Sequence, residues 1–323
     1  YSTAEDILSN LAKENDFAKL ILKYRSVSKL LNTYIDSLPK QISKSTNRIH
    51  TNFLQTVAAT GRLSSVNPNL QNIPIRTESG KEIRKAFIPR NKDFFLMAAD
   101  YSQIELRVIA ALSNEDNMIR SFEKNEDIHT STAATVFNIP LEKVTKQQRS
   151  HAKIVNFGII YGVSAFGLSN QTDLNIKESK NLIETYYEKY PKLKQFIEKQ
   201  IFFARDKGYV ETILGRRRVL RDINSSNSII KSAAERNAVN APIQGSAADI
   251  IKMSMINIQK EFISKKIKSK MLLQIHDELV FDVFKPELNE VMEIVRHQME
   301  NVFKLDVPLS VDINYGVNWL EAH

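Results

Sequence analysis

The sequence predicts an α+β fold, in which a helical insertion interrupts an antiparallel sheet, and three segments support this prediction. Phe94–Ala99 is a continuous apolar run, as in a buried strand. The stretch "LLQIHDELVFDVF" (272–284) alternates around a polar centre, which is typical of a hairpin. Residues 113–226, between these two segments, carry mostly helical periodicity.

The first part of the chain predicts helices followed by irregular structure. Residues 1–36 have helical apolar spacing, with Ser2 or Thr3 as the first N-cap, and Pro39 ends this region. Residues 49–87 are rich in amides and hydroxyls, and we expect short strands and ordered loops there. The chain begins without an initiator Met, which predicts a fragment of a longer protein.

Caps and turns define the later elements. Helical periodicity resumes at Ile104, so Asp100 lies where a strand ends and a helix follows. Thr145–Gln148 has the spacing of a capping box. Residues 228–263 predict a helix that is interrupted at Pro242. The remaining predicted elements are strands at Met271–Ile275 and Leu279–Phe284, a helix near 286–303 and a short final strand.

Composition narrows the class of protein. A length of 323 residues suffices for a large core. The net charge of +8 favours a polyanionic partner. The lack of Cys excludes disulfides, thiolate zinc sites and a cysteine nucleophile, and is compatible with a reducing compartment. No apolar run has the length of a membrane span and no signal peptide is recognisable, so we expect no membrane partner.

Two acids are candidate metal ligands. Asp277 lies with His276 and Glu278 in the predicted hairpin turn, where Asp is common for local reasons alone. Asp100 also follows an apolar strand, and we expect it at the same edge of the sheet. Adjacent carboxylates repel unless a cation lies between them, and Mg²⁺ binds few carboxylates together with phosphate oxygens. Capping of the next helix explains Asp100 equally well, so both interpretations stay open.

A second pattern lies on one predicted helix. Arg149, Lys153, Phe157 and Tyr161 recur every four residues, which keeps them on one face. The two cations could bind a triphosphate, and the two rings could pack on a base or sugar. A solvated basic turn followed by core aromatics is the alternative.

A third pattern consists of amides and arginines that could donate to the minor-groove acceptors present in every base pair. Turn chemistry and surface polarity are the alternative for each residue taken singly. The residues are Arg62, Asn69, Gln71, Asn72, Arg76, Arg236, Asn240 and Gln244.

In combination these segments resemble family A DNA polymerases. "DYSQIELR" (100–107), "RSHAKIVNFGIIYG" (149–162) and "QIHDELVF" (274–281) resemble motifs A, B and C of that family. "NPNLQNIPIR", "DIHTSTAA", "ERNAVNAPIQGSAADIIK" and "GVNWLEAH" are also similar, in order, over essentially the whole chain. The resemblance implies a right-hand fold with an antiparallel-sheet palm, helical fingers and a partial thumb. The implied division is a partial thumb at 1–48, palm at 49–112, fingers at 113–227 and the second part of the palm, with the catalytic hairpin, at 228–323.

The resemblance also implies roles for single residues. Asp100 and Asp277, with the carbonyl of Tyr101, would bind two Mg²⁺ ions or, in their place, Mn²⁺. Glu278 would be an auxiliary acid, and Lys153 would protonate the leaving pyrophosphate. The implied nucleotide-binding residues are Arg149, Lys153, Phe157 on the sugar, Glu105 as a gate against a 2′-hydroxyl, Tyr161, Gln103 and His129. The implied DNA-binding residues are Arg62, Asn69, Gln71, Arg236, Asn240, Gln244 and His276.

The resemblance implies a monomeric, template-directed DNA polymerase acting on primer–template DNA and dNTPs in the bacterial cytoplasm, at the nucleoid. No segment resembles a 3′–5′ exonuclease or a 5′ nuclease, so we expect only the polymerase core. Two alternatives remain: a single-subunit RNA polymerase, which the bulky acid Glu105 argues against, and a catalytically impaired DNA-binding fragment.

Overall fold

A computed structural model describes residues 2–75 and 77–323 of the chain. Tyr1 and the candidate DNA contact Arg76 lie outside the described residues. The helices are α1 (Glu5–Leu11), α2 (Asp16–Leu30), α3 (Glu78–Arg84), α4 (Ile104–Ser113), α5 (Asp116–Glu123), α6 (Ile128–Phe137), α7 (Lys146–Ile160), α8 (Ala165–Ser169), α9 (Ile176–Lys189), α10 (Pro191–Lys207), α11 (Ser228–Ser264) and α12 (Leu288–Glu300). The strands are β1 (Asn52–Leu54), β2 (Ser64–Val66), β3 (Phe94–Tyr101), β4 (Tyr209–Glu211), β5 (Arg217–Val219), β6 (Lys270–Ile275), β7 (Glu278–Phe284) and β8 (Val311–Gly316).

A four-stranded antiparallel sheet in the order β6-β7-β3-β8 organises the molecule. Alternate residues of β3 enter two different cores. Met97 and Ala99 pack into the larger core with residues of α4, α11 and α12. Leu96 and Ala98 pack into a smaller core on the other face, together with Trp319. Because both faces are covered, β3 is apolar without alternation, as the sequence predicted.

The helical insertion joins β3 to the hairpin of β6 and β7. Helices α6 and α7 pack against each other, and α10 contacts both α4 and α11. The capping box of α7 is present: Thr145 accepts from the backbone of Gln148, whose side chain accepts from the backbone N–H of Thr145. The α+β class and the helical character of most of this region are confirmed.

Four local expectations were wrong. Helix α3 lies within 49–87, where we expected only strands and loops, because Thr77 caps it by accepting from the backbone of Gly80. Strands β4 and β5 form a small hairpin inside the region expected to be helical. The N-cap of α1 is Ala4 and has no side-chain hydrogen bond, so neither Ser2 nor Thr3 fills that role.

Pro242 does not interrupt its helix, contrary to the fourth expectation. Helix α11 continues through it, with Ala241, Pro242 and Ile243 all buried. Proline removes one helical hydrogen bond, but tertiary packing of a buried helix can outweigh that loss. The Ser246 hydroxyl donates to the Pro242 carbonyl at 2.5 Å.

Across residues 2–75 and 77–323, no helix combines the length and the apolarity that crossing a lipid bilayer requires.

Two isoleucines of α11 provide a matched test of how this helix packs in the core. Ile250 is fully buried, whereas Ile256 is 54% exposed. We expect Ile250→Ala to lower the free energy of unfolding by about 2–5 kcal/mol, because it leaves a cavity. Ile256→Ala should change it by about 0.5 kcal/mol or less. Urea denaturation of both variants checks this, and equal losses would contradict the burial of Ile250.

Candidate active site

The hairpin turn brings Asp277 to the end of β3. Glu278 begins β7 and pairs with Asp100, and the backbone N–H of Tyr101 donates to the carbonyl of Asp277 at 3.2 Å. His276 adopts a positive φ of 53°, which lets the chain reverse within two residues. The expected meeting of Asp100 and Asp277 at one sheet edge is thus present in the structure.

Negative charge at this edge is only partly balanced. Burial, reinforced by the charges of Glu278 and Asp277, raises the pKa of Asp100 to about 7. Burial also raises the pKa of Asp277, while Arg62 acts in the opposite direction from 4.0 Å. A divalent cation between the two acids would relieve this repulsion, so the donor set fits such an ion. Within the described residues no group of three His, Cys, Asp or Glu could hold a metal, so phosphate or water oxygens would complete the coordination.

Glu105 connects this edge to the helical insertion. Its carboxylate is 6% exposed and accepts from Arg62 at 2.6 Å and from the Tyr161 hydroxyl at 2.9 Å. Burial and the charge of Glu105 raise the pKa of Tyr161 to about 12, so the hydroxyl stays a donor. Two of the implied nucleotide-binding residues, Tyr161 and Glu105, are thus in direct contact. Arg62, expected on DNA, bridges two acids in this conformation.

Helix α7 presents the predicted nucleotide-binding face. Lys153, Phe157 and Tyr161 line a cavity of about 380 Å³. Lys153 is exposed, and Tyr161 caps the end of the helix. Arg149 instead donates two hydrogen bonds to Asp127, at 2.9 and 2.7 Å. A carboxylate thus occupies the guanidinium fork that could otherwise hold phosphate.

His129 lies beneath this face. Its ring is 3% exposed, is 5.6 Å from the ring of Phe157 and accepts from Asn156 through Nδ1 at 3.1 Å. Burial lowers the pKa of His129 to about 4, so it is neutral near pH 7. Gln103 has a positive φ of 54° and is the residue before the first turn of α4.

The candidate DNA contacts differ in exposure and in local partners. Asn69 caps a 3₁₀ turn, and Gln71 donates to the Gln274 carbonyl at 3.1 Å, so both already have local structural roles. Arg236 is exposed and lies against Gly162, next to the α7 face. Asn240, half-buried, has an Oδ1 with no hydrogen-bond partner among the described residues. The exposed His276 and Asn72 and the half-buried Gln244 complete the set.

Sequence reasoning missed the partners of the predicted residues. Asp127 is the N-cap of α6, where its side chain accepts from the backbone N–H of Thr130. Its contact with Arg149 has no signal in the sequence. Glu278 accepts from Trp319 and His323, which follow it by more than forty residues. No periodicity connects positions so far apart in the chain.

Comparison with known proteins places these features in a family. The sequence model described as "DNA polymerase family A" matches residues 1–321. The chain belongs to DNA polymerase family A. The family A fold is confirmed by the POL domain of Pol1 from M. smegmatis, solved in complex with DNA primer-template and dNTP. That structure has a TM-score of 0.95 and 43% identity, and the match covers 100% of this chain and 57% of that one.

Several curated family A relatives are similar over the whole chain. DNA polymerase I of Lactococcus lactis subsp. lactis (strain IL1403) is 50% identical over 323 residues, and that of Streptococcus pneumoniae (strain R6) is also 50% identical over 323 residues. DNA polymerase I of Bacillus subtilis (strain 168) is 47% identical over 322 residues. In each case the match covers 100% of this chain and 37% of the relative, so the chain spans little more than a third of their length.

The depressed pKa of His129 predicts a pH effect on stability. Between pH 6.5 and about 4 the unfolded chain gains a proton on this ring that the folded chain does not. Stability should therefore be lost as pH falls through this window, by roughly 3 kcal/mol from this group alone. His129→Gln, which keeps an acceptor but does not titrate, should lose less. Urea denaturation of both proteins at pH 7 and pH 4.5 measures the difference. Equal losses would show that His129 titrates normally.

Proposed function

We propose that this chain is the polymerase core of a template-directed DNA polymerase. It adds dNTPs to a primer 3′-hydroxyl by two-metal nucleotidyl transfer. The observation that carries the proposal is the turn that sets Asp277 beside Asp100, with Glu105 connecting this edge to α7 through Tyr161. Family A membership supports it, as does the family neighbour solved with DNA primer-template and dNTP.

Asp100, Asp277 and the carbonyl of Tyr101 would hold two Mg²⁺ ions, and Mn²⁺ could use the same oxygen ligands. When bound, such ions activate the attacking hydroxyl oxygen and stabilise the charge on the leaving oxygen. The primer oxygen forms a bond to the α-phosphate of the dNTP, and the bond to pyrophosphate breaks. Glu278, the first residue of β7, would be an auxiliary acid near the primer terminus and not a metal ligand.

Helix α7 positions the nucleotide. Arg149 and Lys153 bind the triphosphate, which requires Arg149 to exchange Asp127 for phosphate oxygens. Lys153 then donates a proton to the leaving pyrophosphate. Phe157 packs on the sugar, and Glu105, held by Tyr161, excludes a 2′-hydroxyl. Gln103 and His129 lie beside the triphosphate.

The DNA duplex would be held through its minor groove and primer end. This assignment supports binding of any correctly paired primer–template, since the minor-groove acceptors differ little between base pairs. The residues are Arg62, Asn69, Gln71, Arg236, Asn240, Gln244 and His276. We also propose that the chain divides into thumb, palm and fingers at the bounds that the resemblance implies, and that the protein is a monomer. Because the relatives are bacterial, we propose that it acts on the bacterial chromosome in the cytoplasm.

Neutralising one acid tests the metal assignment. Asp277→Asn should keep the fold and primer–template binding but slow Mg²⁺-dependent primer extension about a thousandfold or more, since a metal ligand is lost. Asp312→Asn is the matched control, because Asp312 is exposed and pairs with Asp100 from β8. It removes the same charge near the site and should retain most of the rate. Near-normal extension by Asp277→Asn would refute the two-metal role.

The placement of Phe157 predicts sugar selectivity. A dideoxynucleotide lacks the 3′-hydroxyl that can hydrogen-bond to its own phosphates, and an apolar ring cannot replace that bond. Phe157→Tyr supplies a hydroxyl and should raise the ratio of ddNTP to dNTP incorporation by about one to two decades. Single-nucleotide incorporation by wild type and variant measures the ratio. An unchanged ratio with both proteins active would mean that Phe157 does not contact the sugar.

A further inference from the structure

Glu278 occupies a position in which its charge opposes that of Asp100. The two residues pair directly across β7 and β3, so their side chains are neighbours on one face of the sheet. Glu278 is only 4% exposed. A buried carboxylate next to another acid requires donors or cations of its own.

Donors from outside the sheet meet both carboxylate oxygens. Trp319 Nε1 donates to Oε1 of Glu278 at 3.1 Å. His323 Nδ1 lies 2.7 Å from Oε2 and must donate, because an ionised carboxylate only accepts. The Arg84 guanidinium adds positive charge behind them, 4.3 Å from the centre of the Trp319 ring, and is itself 4% exposed.

The main donor is rigidly placed. Trp319 is 1% exposed, its backbone N–H donates to the Phe87 carbonyl at 2.9 Å, and its ring meets that of Phe87 edge-on at 5.3 Å. The indole therefore cannot follow Glu278 if the carboxylate rotates. His323 is less enclosed, with 36% of its side chain exposed.

We propose that Trp319 and His323 are positioning residues that withhold Glu278 from the metal-binding edge, so that it does not add its carboxylate to those of Asp100 and Asp277. This rests on the two-metal function proposed above. Within the described residues, Glu278 does not form a three-acid metal group with those two aspartates. If released, it would turn towards Asp100, its direct neighbour, and add a third acid to the site. Affinity for a divalent cation rises with the number of charged ligands, whereas transfer depends on ions held in one geometry.

The direct test is metal binding to the 323-residue chain without DNA or nucleotide. Trp319→Phe keeps the ring and removes the donor, and His323→Ala removes the second donor. We expect the double variant to bind Mn²⁺ roughly threefold to tenfold more tightly than wild type, in a titration followed by electron paramagnetic resonance of free Mn²⁺. In Mg²⁺-dependent primer extension its kcat should fall while the KM for dNTP stays the same.

Two further variants separate positioning from general loosening of the structure. Adding Glu278→Gln to the double variant should abolish the gain in Mn²⁺ affinity, because no carboxylate is left to move. His323→Gln, whose amide can donate, should behave more like wild type than His323→Ala does. If the double variant fails to fold, His323→Ala alone carries the test, since this side chain is partly exposed.

The outcomes are distinct. Unchanged Mn²⁺ affinity in the folded variants, or a gain that persists with Glu278→Gln, would overturn the positioning role. Failure of the wild-type chain to extend a primer would instead overturn the proposed polymerase function, whatever the Mn²⁺ titrations show.

Discussion

Strand β3 pairs with β7 from Phe94–Phe284 to Asp100–Glu278, and the candidate site depends on this register. A slip by one residue would move every side chain of β3 to the opposite face. Asp100 would then enter the larger apolar core, and Met97 would leave it. The apolar residues of β3, buried on both faces, thus fix the position of a carboxylate that is costly to bury.

The candidate site also depends on the buried contact of Glu105 with Arg62 and Tyr161. Removing one partner of such a group usually destabilises a protein more than the pair stabilises it, because a buried charge is left uncompensated. The contact connects the loop before β2, the first turn of α4 and the end of α7. The proposed gate residue is thereby held by side chains from both sides of the site.

Local patterns made part of this structure predictable. The apolar run of β3, the polar turn at Asp277 and the four-residue spacing from Arg149 to Tyr161 each act within a few residues. The contacts of Asp127 with Arg149, and of Trp319 with Glu278, join distant segments and leave no such pattern. Pro242 shows the opposite failure: its local preference is clear, but burial of α11 overrides it.

The acids of the candidate site come from strands separated by about 180 residues of sequence. Closing a loop of that length carries an entropic cost, and pairings of large sequence separation form slowly. During synthesis both edges of β3 stay unpaired until β7 and then β8 have been made, because these two strands are its only neighbours in the described sheet. The helical insertion therefore sets how long a nascent chain carries an apolar strand without its partners, and over that interval the strand is open to pairing with other chains.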